Sequence, residues 1–304
     1  MSSFDVFVIG AGVAGLAAAE QAARRGLSVC IAEETMFGGL ALNVNHLQPG
    51  LRGLPGSGSE LCAELITRTT DLGVEMFDES VSAVEAASDG TLRVTTTSGV
   101  HTTRGVVVAS GARRRKLGVP GEAEFEHRGV AQCADCDAPL YRDEVAVVVG
   151  GGDSALQEAV VLAAYCSTVH LIHRGTAFSG RQALADVVGN TPGIRVHLET
   201  VVDAIVGSQK VTGVRMRKLS SGDVQEMPCS GIFVYVGLEP NSACMPAAVA
   251  LDGRAIRVND RMETSLPNVY AVGAVRAGYA GLLPDAVRDA TTAVHALGER
   301  LRRA

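Results

Sequence analysis

The densest chemistry in the sequence is Cys133-Ala134-Asp135-Cys136. Two thiols at this spacing can cycle between dithiol and disulfide, and a cysteine near a helix start can have its thiol pKa lowered enough to act as a nucleophile. Asp137 follows at once and can serve as acid or base for an attacking or departing thiolate. Asp135 sets a negative charge beside both sulfurs and disfavours thiolate, which predicts a slower but more reducing pair. Structural zinc is the rival use. It usually takes four ligands, and the sequence has neither a second CxxC nor a close histidine partner. Cys30, Cys62, Cys166, Cys229 and Cys244 stand singly in apolar or strand-like contexts and read as small core residues.

Two glycine motifs carry the rest of the chemistry. Gly10-x-Gly12-x-x-Gly15 places glycines where backbone must approach a pyrophosphate at a helix N-terminus. Glu33 lies 23 residues beyond Gly10, where a carboxylate accepts hydrogen bonds from ribose hydroxyls and repels a 2′-phosphate. This site is expected to hold FAD or NAD, not NADP. The second motif is Gly150-x-Gly152-x-x-Ala155, with Asp153 and Ser154 completing its turn. The position equivalent to Glu33 is His173, and Arg174 follows it. A cation at that strand end can pair with a 2′-phosphate, so the site leans to NADPH, with Arg181 as a second candidate contact. Two different nucleotide sites in one chain imply hydride transfer between cofactors, with the protein positioning one ring over the other.

The elements that must position these groups are readable around them. Residues 5–9 predict a strand, 16–25 a helix and 27–32 a second strand. The unit recurs as strand 144–149, helix 156–165 and strand 168–172, so two parallel-sheet nucleotide-binding domains are expected. A loop rich in Gly, Pro and Asn spans 37–59, and a helix is predicted over 60–72. Residues 74–77, 92–97 and 100–104 suggest an antiparallel meander inserted in the first domain, and 106–111 a buried strand. Strand-like stretches return at 195–198, 201–206, 211–217 and 232–236. A last strand is expected at 266–273 and a last helix at 283–301. The fold class is α/β, with two Rossmann-like domains, the second inserted in the first. The expected boundaries are 1–114, 115–238 and 239–304.

Composition narrows the partners. The chain has 304 residues, 27 basic against 33 acidic, for a net charge of −6. That balance argues against a general nucleic-acid binder, so the run Arg113-Arg114-Arg115-Lys116 reads as a solvated loop. Hydrophobic residues make up 47% and charged residues 20%, enough apolar surface to exclude disorder as the main theme. No secretory signal and no membrane span is expected, and the seven cysteines lack the dense spacing of a secreted disulfide scaffold. A cytoplasmic location follows as an expectation.

Along essentially its whole length the chain resembles the low-molecular-weight bacterial thioredoxin reductases. The matching stretches, in order, are Gly10–Gly15, Glu33, Phe37-Gly38-Gly39, Ser110-Gly111-Ala112, Gly118–Glu122, Arg128-Gly129-Val130, Cys133–Asp137, Gly150–Ala155, His173-Arg174, Gly237–Asn241 and Val269–Gly273. The resemblance implies a homodimer with an FAD domain and an inserted NADPH domain. Gly38, Gly39, Gly111, Gly273 and Ala274 would join Gly10, Gly12, Gly15 and Glu33 around FAD. NADPH would reduce FAD, FAD the CxxC pair, and the dithiol a thioredoxin-like protein or small disulfide. Cys136 would face the flavin, Cys133 would attack the substrate, and Arg128 would help dock it. The chain departs from the pattern in places. It has Gly273-Ala274 where the family has Gly-Asp, and Leu40 and Leu282 where it has Gln. Gly175 and Ser179 stand where Arg is usual, and the loop at 39–49 is short. One lost hydrogen bond is worth roughly 0.5–1.5 kcal/mol, up to about tenfold in affinity, so the changes at Ala274, Leu40 and Leu282 together are expected to weaken FAD and shift its potential, while Gly175 and Ser179 bear on the choice of NADPH over NADH. Two other functions compete: a paralogue acting on a small dithiol or disulfide, as an oxidase using oxygen, and a nucleotide-binding redox regulator without turnover.

Overall fold

The structure is a computed structural model that describes residues 3–44, 47 and 56–303. The chain divides into two compact units, one of Met1–Arg113 with Glu239–Ala304 and one of Arg114–Leu238. In the first, β1 (Ser3–Ile9) feeds α1 (Val13–Ala23) through the glycine turn, and β2 (Val29–Glu33) returns parallel to β1. α2 (Gly58–Asp71) begins at a full capping box, with Ser57 and Glu60 satisfying each other's backbone N–H groups. It leads to β3 (Glu75–Asp78), which lies parallel on β2.

That last pairing corrects the expectation for 74–77, which places them in the meander. The strand follows a helical crossover from β2, and such a connection puts it parallel at the sheet edge. The meander is built instead by β4 (Val81–Ala86), β5 (Leu92–Thr96) and β6 (Val100–Val108), paired antiparallel. The predicted segments 100–104 and 106–111 are largely one strand, because β6 serves three neighbours. Its first half pairs with β5, its second half with residues 269–271, and from Thr102 on it runs parallel to β1. Much of the 37–59 loop lies outside the described residues; a short 3-10 turn, Gly39–Asn43, opens it.

In the second unit, β7 (Val130–Ala131) runs into the short helix α3 (Ala134–Asp137). β8 (Val145–Gly150), α4 (Asp153–Ala163) and β9 (Thr168–Ile172) form the βαβ turn, followed by α5 (Gln182–Asn190) and β10 (Ile194–His197). β11 (Thr200–Gly207), β12 (Val211–Lys218) and β13 (Val224–Pro228) make a separate antiparallel sheet. β14 (Gly231–Tyr235) leaves that pattern and inserts parallel beside β8, giving the order β10-β9-β8-β14-β7. All-apolar Val145–Val149 and Ile232–Val234 suit strands covered on both faces. α1 and α4 each start three residues before the predicted helices, since the glycine turns themselves open the first helical turn.

The chain then returns to the first unit. β15 (Val269–Ala271) pairs parallel with the second half of β6, and α6 (Leu283–Arg303) packs its alanines and Leu297 on the alanine face of α1. The strand predicted over 266–273 is shorter because residues 273–275 turn as a 3-10 element. Each side of the connection between the units is tied by a backbone bond, Asn241 N–H to Gly111 O in the first and Arg115 N–H to Gly237 O in the second.

Candidate active site

The three glycines of the first motif do different physical work. Gly10 has φ +95° and lies against the Ala109 carbonyl, so only glycine fits the tight turn. A methyl on Gly15 would run into the Gly10 carbonyl, so this glycine lets helix and strand close up. Gly12 is different. Its φ is −70°, and among the described residues a Cβ there would meet nothing nearer than Gly38 O at 4.0 Å. None of these residues requires glycine at 12; an approaching ligand would. The second motif repeats this arrangement. Gly150 is hemmed in by the Tyr235 carbonyl, Ala155 is fully buried, and Gly152 faces open space to 4.0 Å.

Around α1 the predicted residues converge. Glu33 accepts the Ala11 N–H at 2.8 Å on one oxygen and the Thr35 N–H and hydroxyl, both at 3.0 Å, on the other. The carboxylate is therefore oriented at the end of β2. Gly38 bridges to Gly12 and donates its N–H to Ala11 O, Gly39 lies beside Gly12, and Gly273 packs on Ala14. Gly111 follows Ser110, whose Cα lies against Gly10, and the pair is held by Asn241. Ala274 sits in the 3-10 turn and offers no carboxylate. Sequence reasoning missed what fixes that turn: buried Asp289 accepts the Gly273 N–H at 3.1 Å and the Nε and Nη2 donors of Arg276 at 2.6 and 2.9 Å.

In the second unit Asp153 opens α4 and accepts the backbone N–H of Arg181 at 2.7 Å and its side chain at 2.6 Å. Arg181 is thus engaged by the turn itself. The His173 ring covers Gly151 and bonds Ala177 O at 3.0 Å, while Arg174 is exposed. Gly180 and Ser179 also donate to Gly151 O, closing a rim over the turn.

Cys133 and Cys136 form a disulfide with Cα atoms 5.4 Å apart, Cys133 half-buried and Cys136 exposed. Cys133 caps α3, its sulfur taking the Cys136 N–H at 3.3 Å. Asp137 is half-buried; burial raises its carboxyl pKa, with His127 opposing. An acid shifted this way keeps a proton to higher pH, the direction an acid serving a thiolate needs. The five other cysteines are buried, and burial pushes the thiols of Cys229 to about 12 and of Cys166 and Cys244 to about 11. They are not nucleophiles at neutral pH. The basic run is also spent locally. Arg113 pairs with Glu239, Arg114 donates to Gln132 O, and Lys116 pairs with Glu126. Among the described residues no cluster of metal-ligating side chains is present, and no helix is long and apolar enough to cross a membrane.

Two dinucleotide-binding βαβ folds and a disulfide on the turn before the second define a nucleotide-dependent disulfide oxidoreductase. The chain belongs to the pyridine nucleotide-disulphide oxidoreductase family, whose model matches residues 4–295. It is 34% identical over 297 residues to the thioredoxin reductase of Treponema pallidum, covering 97% of this chain and 96% of that one. It is 36% identical over 275 residues to the thioredoxin reductase of Mycolicibacterium smegmatis, covering 88% and 87%. The crystal structure of Lactococcus lactis thioredoxin reductase matches at a TM-score of 0.92 with 30% identity, covering 99% of this chain and all of that one. The chain is a thioredoxin-reductase-like enzyme, a flavoprotein disulfide oxidoreductase that also uses a pyridine nucleotide.

Proposed function

We propose that the enzyme carries electrons from NADPH through FAD to the Cys133–Cys136 disulfide, and from the dithiol to a thioredoxin-like protein. The observation that carries this reading is the pair of open glycines, Gly12 and Gly152. Each lies at a helix start where a ligand needs the space, and each is followed by a different strand-end chemistry. Glu33, pre-oriented by Ala11 and Thr35, suits the ribose hydroxyls of FAD. Arg174 suits a 2′-phosphate, whereas Arg181 shapes the turn through Asp153.

When bound, FAD supplies the two-electron relay between nucleotide and disulfide. The protein's own residues do the rest. Gly10, Gly12, Gly15, Gly38, Gly39, Gly273 and the N–H groups near Ala274 would hold FAD, and Gly150, Gly152, Asp153, Ser154 and Ala155 would hold NADPH. The reduced Cys133 thiolate attacks the substrate disulfide, and one substrate thiolate leaves, taking a proton supplied through Asp137. Cys136 then attacks the mixed disulfide, releases the second substrate thiol and restores the Cys133–Cys136 bond. A groove of about 260 Å³ lined by Arg128, Leu140, Tyr141 and Lys210 lies beside the pair's helix, and Leu140 is 78% exposed. Such a surface suits a small protein partner. The working form is proposed to be a cytoplasmic homodimer.

The test is turnover with thioredoxin, comparing NADPH with NADH. Steady NADPH-driven reduction of thioredoxin, lost in Cys136→Ser, supports the reading. Turnover of only a small dithiol with oxygen, or no turnover with any disulfide, overturns it.

A further inference from the structure

α4 is apolar along the face formed by Ala155, Leu156, Ala159 and Leu162, all fully buried. Glu158 stands half-buried at the edge of that face. An acid there needs partners, and it has them at the redox loop. One carboxylate oxygen accepts the Ala134 N–H at 2.7 Å and the Tyr235 hydroxyl at 3.0 Å. The Ala134 N–H also approaches the Tyr235 oxygen at 3.2 Å, and the Arg114 guanidinium lies 6.0 Å from the Tyr235 ring centre. The same Arg114 donates to Gln132 O, just before Cys133. Burial raises the Glu158 carboxyl pKa, while its two donors pull the other way.

We infer that Glu158 is a positioning residue that holds the Cys133–Cys136 pair at a more reducing potential through the Ala134 N–H. Two effects of the same sign act on the pair. N–H groups at the start of a turn normally offer positive charge that stabilises a thiolate. Here the first of them, between the two cysteines, is taken by a carboxylate. That carboxylate also adds negative charge one residue from Cys133, alongside Asp135. Both effects disfavour the reduced, partly ionised pair and favour the disulfide. Because α4 begins at Gly152 and Asp153, one rigid helix joins the nucleotide turn to the redox loop.

The inference rests on Cys133–Cys136 being the working redox pair. Its test is an equilibrium titration of the full-length flavoprotein with dithiothreitol, scored by alkylation of free thiols and mass. In that exchange the pair takes two electrons and two protons, its S–S bond becomes two thiols, and dithiothreitol becomes its cyclic disulfide. Glu158→Gln, nearly isosteric, is expected to shift the equilibrium about tenfold toward the dithiol, a rise of about 30 mV. The pH profile of Cys133 alkylation should move about one unit lower. Tyr235→Phe keeps the carboxylate and is expected to shift the equilibrium less than Glu158→Gln. A Glu158→Gln equilibrium within twofold of wild type, with an unmoved alkylation profile, overturns the inference while leaving the redox pair intact. A wild-type pair that does not cycle overturns both.

Discussion

Gly12→Ala separates a glycine kept for the fold from one kept for a ligand. The backbone at 12 has ordinary dihedrals, φ −70° and ψ −178°, and the added methyl meets no atom of the described residues closer than 4.0 Å. Alanine is a poorer helix N-cap than glycine, but the difference is under about 1 kcal/mol, so the flavin-free protein should keep its stability to within that margin. Gly15→Ala puts its methyl on the Gly10 carbonyl and 3.3 Å from the Ala109 side chain. Overpacking of that kind costs about 1–3 kcal/mol, and the fold should feel it directly. If the pyrophosphate passes over Gly12, the same overpacking falls on the cofactor instead. At about 1.4 kcal/mol per tenfold, FAD affinity should drop about 10- to 100-fold. The assay pairs thermal melting of the flavin-free protein with flavin binding followed by absorbance. Gly12→Ala should melt like wild type and bind flavin poorly; Gly15→Ala should melt early. Wild-type flavin affinity in Gly12→Ala would refute the placement, and an early melt in Gly12→Ala would refute the claim that glycine there serves a ligand.

Asp135→Ala should raise the potential of the pair and speed alkylation of Cys133 by about fivefold, as expected for removing about 1 kcal/mol of exposed charge repulsion; less than a twofold change in both would contradict the role. Arg174→Ala should raise KM for NADPH about tenfold and leave that for NADH unmoved, because only the former carries the 2′-phosphate; equal effects on both would remove the assignment. His170 and His197 share a hydrogen bond at 2.9 Å on neighbouring strands, and burial, then His197 and Arg195, push the His170 pKa down to about 4. The unfolded chain therefore binds this proton first, so stability is lost as pH falls from about 6.5 toward 4 and levels off below. After discounting for partial exposure the loss is about 1–2 kcal/mol; an acid limb of the melting curve identical in His170→Gln would contradict it.

What could be read from the sequence is what the chain writes locally. Gly10–Gly15 and Gly150–Ala155 are contiguous turns flanked by their own strands and helices, and the CxxC is four residues long. β5 and β6 are legible from alternation, whereas β4 is not read at all and residues 75–78 take its place in the expected meander, because their parallel pairing with β2 is decided by the crossover and not by their own pattern. Glu158 and Tyr235 reach Ala134 from 24 and 101 residues away, and no local spacing records that meeting. The one available signal is an acid at the edge of the apolar face of α4. Asp289 likewise meets Gly273 from the middle of α6. Arg181 has a type and place that suit a phosphate, and folding adds an ion pair with Asp153 that no local spacing records.

The central claim is that one chain couples NADPH, FAD and the Cys133–Cys136 disulfide. Anaerobic titration of the purified protein with NADPH, followed at the flavin absorbance band, tests it most directly. Wild type should take up about two equivalents before the flavin is fully bleached, one for the disulfide and one for the flavin, and Cys136→Ser should take up one. A flavin that NADPH does not bleach, or equal uptake by wild type and Cys136→Ser, would contradict the account.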